Sequence, residues 1–487
     1  MKPIPNAQAV AQIEDFLGSG RFGEAVAAAD RLKRASPRLI AAWVGAARAH
    51  MGLGRLDDAD RDLTQALAMA PADPAANLFR GVLDQRLGRM DASVQRLRTL
   101  AASQGPWALE AWFGMAESLW FAGRRQELEL AVASEGAWSS DPRAELFRAR
   151  VDPDRERATE RMVQLTRQTS SVVVRRVAGF DAVKMLDKMG RYREAFDMAS
   201  FVHGATGHPF DLSGMLGQVK AWRELLARGG PWFSSRAEPV QGMAMVVALP
   251  RSGTTLLEQM LDSHPDISGI GEYDGVNLLG QELQARGAWP SGLGLLPKPL
   301  ASQLQSTHLQ NARNRAQRST PWLFDKNLRA WRWLPAVAAV LPGTVCIHMA
   351  RDPRDMAISI FLSFFNPDTD GWTASLDSIR QVIECEQSVV PQALERFGLP
   401  HESIVYEDMV ADAASHARRC LDRMGLAMHE AVLRPHENRR SAVTLSHEQV
   451  RQPIHAGGIG RWRNYAFAFD GSWDGVVAAH QARRACR

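Results

Sequence analysis

The chain has 487 residues, too many for a single hydrophobic core, so we expect at least two domains. Hydrophobic residues make up 45% of the chain and charged residues 23%, which is typical of a globular protein. The formal net charge of +4 is small for this length and gives no reason to expect a nucleic-acid partner.

The N-terminal residues lack the charged-then-apolar pattern of a signal peptide, and no apolar run approaches the ~20 residues needed to span a bilayer. The four cysteines show no CxxC spacing, so the sequence predicts neither a zinc site nor a disulfide framework. We therefore expect a reducing cytoplasm as the protein's compartment and no membrane span.

A Gly-Arg pair recurs through the first half of the chain. Gly20, Gly54 and Gly88 are separated by 34 residues each, and Gly123 and Gly190 begin later copies of the pair. Small residues follow four of these glycines by five positions: Ala25, Ala59, Ser93 and Ala195. Glycine suits a tight turn between two helices, and a small side chain suits their close crossing.

This pattern resembles the tetratricopeptide repeat (TPR), which has a period of 34 residues. We predict an all-α, TPR-like solenoid over residues 1–228, with a generic helical bundle as the alternative. The repeat is clear through about Pro106, and its period drifts between residues 107 and 180. Stacked repeats form concave surfaces, so binding of a peptide or protein acceptor, scaffolding and homodimer formation are all compatible with the pattern. The Gly- and Pro-rich residues 229–241 are predicted to be a linker before a second domain at 242–487.

The second domain opens with an apolar run at residues 243–249, which predicts a buried parallel strand. A polar loop, Pro-Arg-Ser-Gly-Thr-Thr at residues 250–255, and a helical stretch follow. Such a loop directs backbone N–H groups at an anion on the helix N-terminus. Because the loop lacks the leading glycine and the lysine of a Walker A motif, a P-loop kinase or nucleoside triphosphatase is disfavoured.

The segment PRSGTTLLEQMLDSHP resembles the 5′-phosphosulfate-binding loop of sulfotransferases that use 3′-phosphoadenosine 5′-phosphosulfate (PAPS). The similarity is greatest to the tyrosylprotein branch, and it extends over most of residues 243–465. The resemblance implies a P-loop-like α/β fold with a central parallel sheet, PAPS as co-substrate, its desulfated form PAP as product, and no metal. It assigns PAPS binding to Arg251, Ser252, Gly253, Thr254 and Thr255.

Three further motifs carry the resemblance. A predicted strand at 344–350 is followed by Arg351 and, eight residues later, Ser359, which have the spacing of the family's 3′-phosphate-binding pair. A surface ion pair is the alternative for an isolated arginine, but ligands of α/β proteins bind at the carboxyl ends of strands. A predicted strand at 403–409 contains Tyr406, which the resemblance places beside the nucleotide; a buried structural tyrosine stays open.

The last motif begins at Ser446 and reaches Arg461-Trp462 fifteen residues later. The tyrosylprotein branch has a lysine where this chain has Arg461, so the positive charge is kept. Other sulfotransferases have Arg-Lys-Gly in a comparable loop, where this chain has His455-Ala456-Gly457. This departure predicts weaker or differently arranged binding of the 3′-phosphate.

The resemblance also implies the catalytic residues. Glu272 is expected to accept a proton from the acceptor hydroxyl, and Lys326 to contact the bridging oxygen of the leaving group, with Arg251 and Ser446 stabilising the transition state. Considered singly, Glu272 is better explained as a solvated carboxylate beside a helix, and Lys326 as the partner of Asp325 in an ion pair. Their occurrence together with the phosphate loop favours catalysis.

The acceptor is less well defined by the sequence. A protein or peptide tyrosine is the first hypothesis, and a carbohydrate or small molecule is the second. The tyrosylprotein branch has an arginine two residues after the catalytic glutamate, where this chain has Asp274. An inactive TPR scaffold or binding protein is a third hypothesis, and it predicts degraded phosphate loops, whereas both loops here are intact.

Overall fold

The computed structural model describes residues 5–207, 210–228, 232–233, 236–438 and 452–485. Contacts divide the chain into two compact units, Met1–Leu165 and Thr166–Arg487. This division lies earlier in the chain than the linker predicted at 229–241, because three helices that follow Leu165 pack with the sheet domain. Within the described residues, no helix is long and apolar enough to cross a membrane.

The first unit is helical throughout, in agreement with the predicted repeat region. Its helices are α1 (Asn6–Gly18), α2 (Phe22–Ala35), α3 (Ile40–Gly52), α4 (Leu56–Met69), α5 (Pro74–Arg86), α6 (Met90–Ala101), α7 (Ala108–Phe121), α8 (Arg125–Ala133), α9 (Ala144–Val151) and α10 (Arg155–Gln168). The last of these crosses the division between the units. Helices α3, α4 and α5 bury one apolar cluster that includes Val44, Leu63 and Leu83.

The repeated Gly-Arg pair forms the same helix-ending turn five times. The five glycines have φ between 69° and 76°, a region that other residues avoid: Gly20, Gly54, Gly88, Gly123 and Gly190. In each turn the N–H of the following arginine donates to the carbonyl five residues earlier, as in Arg55 N to His50 O at 2.9 Å and Arg191 N to Leu186 O at 2.9 Å. This hydrogen bond satisfies a carbonyl that the helix end would leave unpaired.

The second unit begins with three helices and continues into the sheet domain. Its helices are α11 (Val172–Lys188), α12 (Tyr192–Thr206), α13 (Leu212–Ala227), α14 (Thr254–Asp262), α15 (Gly275–Ala285), α16 (Lys298–Arg315), α17 (Leu334–Val340), α18 (Pro353–Phe361), α19 (Pro367–Asp370), α20 (Leu376–Arg396), α21 (Tyr406–Ala411), α22 (Ala413–Arg423) and α23 (Asp474–Ala485). Trp222 on α13 is fully buried and donates to the carbonyl of Arg332 at 3.1 Å. Helix α13 therefore packs directly against the sheet domain.

The sheet has five parallel strands in the order β2-β3-β1-β4-β5, which confirms the predicted central parallel sheet. The strands are β1 (Met243–Val247), β2 (Ile267–Gly271), β3 (Trp322–Asp325), β4 (Val345–Ala350) and β5 (His401–Val405). Every residue of β1 and β4 is buried, as expected for parallel strands covered on both faces. The strand predicted at 403–409 ends earlier, at Val405, because Tyr406 begins α21.

Candidate active site

The carboxyl ends of the strands deliver the predicted site residues to one edge of the sheet. Glu272 directly follows β2, Lys326 follows β3, Arg351 follows β4 and Tyr406 follows β5, while β1 leads into the loop at 248–253. Parallel strands end at a common edge, so residues separated by more than a hundred positions become neighbours there. The fold thus places the predicted residues together at the edge where α/β proteins bind ligands.

The loop between β1 and α14 has an unusual backbone. Arg251 has φ of 66° and Gly253 has φ of 96°, although arginine rarely adopts this conformation. A Cβ atom at position 253 would lie 2.3 Å from the Tyr406 ring, so only glycine fits beneath that ring. The Ser252 hydroxyl donates to the Leu249 carbonyl at 2.7 Å. These contacts fix a turn that presents the N-terminus of α14 to the site.

The α14 N-terminus begins with the two predicted threonines, Thr254 and Thr255, which are both buried. The first N–H groups of a helix have no acceptor within the helix. Together with the helix dipole they favour an anion at this position. The local structure is therefore the one that the sequence motif predicts for a phosphate loop.

Arg351 connects this loop to two other segments. Its guanidinium donates to the Arg251 carbonyl at 2.7 Å and to the Gly458 carbonyl, and it lies 4.7 Å from the centre of the Tyr406 ring. Arg251 in turn donates from Nε to the Ser359 hydroxyl at 2.8 Å. The predicted 3′-phosphate pair, Arg351 and Ser359, is thus bound directly to the predicted 5′-phosphosulfate loop.

The site concentrates positive charge. Burial, with repulsion from Arg351 and Arg461, lowers the pKa of the Arg251 guanidinium to about 10. Burial also raises the pKa of the Tyr406 phenol. A cluster of arginines that repel one another is costly to fold without a counter-ion, and such a cluster is suited to a ligand with several negative charges.

Arg461 begins a 3₁₀ segment, Arg461–Ala468, that follows the glycine-rich loop. The backbone on both sides of it is held by Asp355, whose carboxylate accepts from Gly460 N at 2.6 Å and Trp462 N at 2.8 Å. The Arg461 guanidinium contacts Asp187 of α11 at 2.6 Å. Sequence reasoning missed both aspartates. Asp355 lies four residues after Arg351, but the sequence gave no indication of its partner.

Lys326 and Glu272 form an ion pair with Nζ and Oε1 separated by 2.5 Å. The lysine side chain is 1% exposed, whereas that of the glutamate is 52% exposed, so the carboxylate reaches solvent from a buried cation. The backbone fixes the pair, because Lys326 N donates to Gly271 O at 2.9 Å and Asn327 Nδ2 donates to Tyr273 O at 2.7 Å. The two predicted catalytic groups therefore lie together.

Asp325 directly precedes Lys326 in the chain and is fully buried. Its Oδ1 accepts from Asn327 N at 2.9 Å, and its Oδ2 has no hydrogen-bond partner in the part of the chain that the structure describes. Burial, followed by repulsion from Glu258 and Asp274, raises the pKa of the Asp325 carboxyl well above its usual range.

Asp274, two residues after Glu272, forms an ion pair with Arg329. Arg329 NH1 lies 3.5 Å from Asp274 Oδ1, and its NH2 donates to Asp370 at 2.9 Å. Burial lowers the pKa of the nearby Arg332 to about 10, with further lowering from Arg329. The residue that departs from the tyrosylprotein pattern thus belongs to a charged network beside the predicted base.

The predicted residue Ser446 lies outside the described residues. The remaining predicted residues are brought to the same edge of the sheet. Within the described residues, no group of three histidine, cysteine, aspartate or glutamate side chains could hold a metal ion.

Comparison with known proteins is consistent with this geometry. Residues 244–430 match the family described as "Sulfotransferase family". These residues form a sulfotransferase-family domain. A putative protein-tyrosine sulfotransferase from Caenorhabditis briggsae is 23% identical over 228 residues, covering 45% of this chain and 80% of the relative.

A second curated relative is an uncharacterized protein of Aquifex aeolicus (strain VF5), which is 24% identical over 341 residues. The alignment covers 65% of this chain and 44% of the relative, so this chain spans less than half the length of that protein. The solved sulfotransferase domain from the curacin biosynthetic pathway is 17% identical, with a TM-score of 0.36; the match covers 50% of this chain and 99% of that domain.

The site residues fit PAPS, which carries a 5′-phosphosulfate and a 3′-phosphate. Arg351 Nε is buried with no hydrogen-bond partner among the described residues, so it remains available to an anion. Gly458 lies so near Arg351 and Tyr406 that an added Cβ would meet their side chains at 3.2 and 3.3 Å. The cradle therefore combines positive charge with close backbone approach, as binding of two phosphates requires.

Proposed function

We propose that the protein transfers a sulfuryl group from PAPS to an acceptor hydroxyl. One observation carries this proposal: the phosphate loop is bound to Arg351 and Ser359 and lies at the same sheet edge as the Lys326–Glu272 pair. A nucleotide with two phosphate groups fits the first set of residues, and proton and charge transfer fit the second. We propose no metal in this reaction.

The binding residues divide into two groups. The loop residues Arg251, Ser252, Gly253, Thr254 and Thr255 would bind the 5′-phosphosulfate through backbone N–H groups, hydroxyls and one guanidinium. Arg351, Ser359 and Arg461 would bind the 3′-phosphate. Tyr406, whose ring covers Gly253 and faces Arg351, would line the nucleotide site.

Glu272 and Lys326 would carry the chemistry. When bound, PAPS supplies the sulfuryl group and leaves as PAP. Glu272 would take the proton of the acceptor hydroxyl as its oxygen forms the new bond to sulfur. Lys326 and Arg251 would stabilise the negative charge left on the departing phosphate oxygen, and Ser446 would assist them. This role requires Lys326 to turn from Glu272 toward the phosphate.

A protein or peptide tyrosine is the acceptor that we propose first. The relative from C. briggsae that covers this domain is named a putative protein-tyrosine sulfotransferase. The helical repeats of the first unit supply a surface type that holds peptides, so we propose that they hold the acceptor protein. A carbohydrate or small-molecule acceptor is the second candidate, favoured by Asp274 and its Arg329 partner beside the base.

The cytoplasm is the compartment that we propose. Cys346, Cys385 and Cys420 are free thiols in the structure, and two of them are buried. Free cysteines are typical of proteins in a reducing compartment.

Calorimetry of PAP binding tests the nucleotide site. We expect the wild type to bind at micromolar strength or better and Arg251→Ala or Arg351→Ala to lose about a hundredfold in affinity, since each removes a buried, charge-assisted contact. Arg418→Ala, at an exposed position on α22, is the matched control and should bind like the wild type. A wild type that does not bind PAP would instead support the scaffold hypothesis.

Transfer of labelled sulfate from PAPS to peptide and glycan libraries tests the acceptor. Glu272→Gln should keep PAP affinity and lose about a hundredfold or more in turnover, because it removes the base but not the nucleotide contacts. Labelling of glycans with no labelling of tyrosine peptides would replace the first acceptor by the second.

A further inference from the structure

One carboxylate of the helical region reaches the predicted 3′-phosphate segment. Asp187 lies in the last turn of α11, three residues before the turn glycine Gly190. Its Oδ2 contacts the Arg461 guanidinium at 2.6 Å, and its Oδ1 accepts a hydrogen bond from the Tyr465 hydroxyl at 2.6 Å. The two residues that it contacts belong to the same 3₁₀ segment of the sheet domain.

The surroundings make this contact well defined. Tyr465 is fully buried, and its ring lies edge-on to Tyr192 of α12 at 5.4 Å. Phe196, one turn further along α12, packs against Phe361 and Phe467 at 4.9 and 5.6 Å between ring centres. The hairpin of α11 and α12 is thus seated on the sheet domain by aromatic contacts, which restrict the movement of Asp187.

The Asp187 carboxylate lies where two arginines of the site repel each other. Arg461 is near enough to Arg251 to help lower the pKa of that guanidinium, so the two cations repel each other. A long arginine side chain beside like charges would turn toward solvent unless a carboxylate retained it. Asp355 holds only the backbone around Arg461, whereas Asp187 holds its guanidinium.

We propose that Asp187 is a positioning residue of the nucleotide site, holding Arg461 in place to bind the 3′-phosphate. The hairpin of α11 and α12 is then part of the PAPS-binding machinery as well as of the helical repeats. The inference rests on the proposed function and adds to it a residue outside the sulfotransferase-family domain. The opposite role, in which Asp187 competes with the phosphate for Arg461, predicts tighter PAP binding when the carboxylate is removed, and the experiment separates the two.

Binding of two nucleotides to Asp187→Asn is the test. PAP carries the 3′-phosphate and adenosine 5′-monophosphate does not, so we expect the variant to weaken PAP binding about ten- to a hundredfold while leaving adenosine monophosphate within about twofold. Asp197→Asn, at an exposed site on α12, is the control and should match the wild type. Asp187→Glu should restore part of the affinity, because it restores the charge.

A double-mutant cycle shows whether the effect passes through Arg461. Asp187→Asn combined with Arg461→Ala should bind PAP no more weakly than Arg461→Ala alone. Tyr465→Phe, which leaves the carboxylate in contact with Arg461, provides a second variant if Asp187→Asn fails to fold, and we expect a smaller loss specific to PAP.

The outcomes are distinguishable. Unchanged or tighter PAP binding by Asp187→Asn, or an equal loss for both nucleotides, would overturn the positioning role while leaving the proposed function intact. A wild type that binds adenosine monophosphate and PAP equally would overturn the 3′-phosphate assignment. A wild type that binds neither would overturn the proposed function and this inference together.

Discussion

Two helical hairpins of this protein share a signature and differ in what they contact. The α3–α4 turn at Gly54 and the α11–α12 turn at Gly190 have φ of 73° and 75° and the same hydrogen bond from the following arginine. The first hairpin shares an apolar cluster with the next repeat helix, α5, whereas the second packs on the sheet domain. The repeat pattern therefore specifies a hairpin but not its partner.

Equivalent positions explain the difference. Three residues before the turn glycine, α3 has the buried Met51, whereas α11 has Asp187. Six residues after the glycine, α4 has Asp60, which pairs with Arg80 at 3.3 Å, whereas α12 has Phe196. At these two positions, the first hairpin has residues that contact other repeat helices, whereas the second hairpin has residues that contact the sheet domain.

Truncation should show the largest contrast between the two regions. A chain beginning at Thr166 retains the compact second unit, so we expect it to fold and to bind PAP within a few-fold of the full chain. A chain beginning at residue 242 loses the cover of Tyr465 and Phe361 and should aggregate. Circular dichroism and PAP calorimetry measure both. Full PAP affinity in the chain that begins at residue 242 would show that helices α11–α13 are not needed for the nucleotide site.

Removal of one buried tryptophan in each unit should come next. Trp222→Ala and Trp112→Ala should each cost about 3–5 kcal/mol of stability, since both side chains are buried. Thermal unfolding with and without PAP shows which unit loses stability in each variant, because PAP should stabilise only the unit that binds it. We expect the PAP-stabilised transition to shift only for Trp222→Ala, and a shift with Trp112→Ala would contradict the division of the chain.

Acidification should destabilise the second unit. Burial lowers the pKa of His308 to about 4, so this ring stays neutral in the folded protein while it gains a proton in the unfolded chain below about pH 6.5. The unfolded state then binds more protons, and the free energy of unfolding should fall by up to about 3 kcal/mol from pH 6.5 to pH 4. Denaturant titrations across this range measure the slope, which His308→Gln should reduce.

Substitution of the turn glycines should have the smallest effect on stability. The two variants also allow a direct comparison of the two hairpins. Gly54→Ala and Gly190→Ala place a side chain at positive φ where no neighbouring atom lies within 4 Å, so each should cost about 1–2 kcal/mol. Only Gly190→Ala should also weaken PAP binding, because it disturbs the turn beside Asp187. Equal PAP affinities in the two variants would argue against that link.

Much of the fold and site followed from local sequence patterns. The 34-residue spacing indicated the helical hairpins, and short apolar runs indicated β1 and β4 within two residues of their ends. The residues after those runs were predicted to bind a ligand, because ligands of α/β proteins bind at the carboxyl ends of the strands. Glu272 and Lys326, by contrast, were identified only through the resemblance to sulfotransferases, and the structure brings their side chains to 2.5 Å.

The sequence by itself determined which segments become helices and strands, and which loop is shaped for an anion, because these depend on residues close together in the chain. Tertiary structure decided that α11–α13 belong with the sheet domain, and that Asp187 meets Arg461 and Tyr465. The aspartate and the tyrosine are 278 positions apart. A repeating sequence pattern cannot predict such a pairing, because the pairing arises only when two independently formed elements pack against each other.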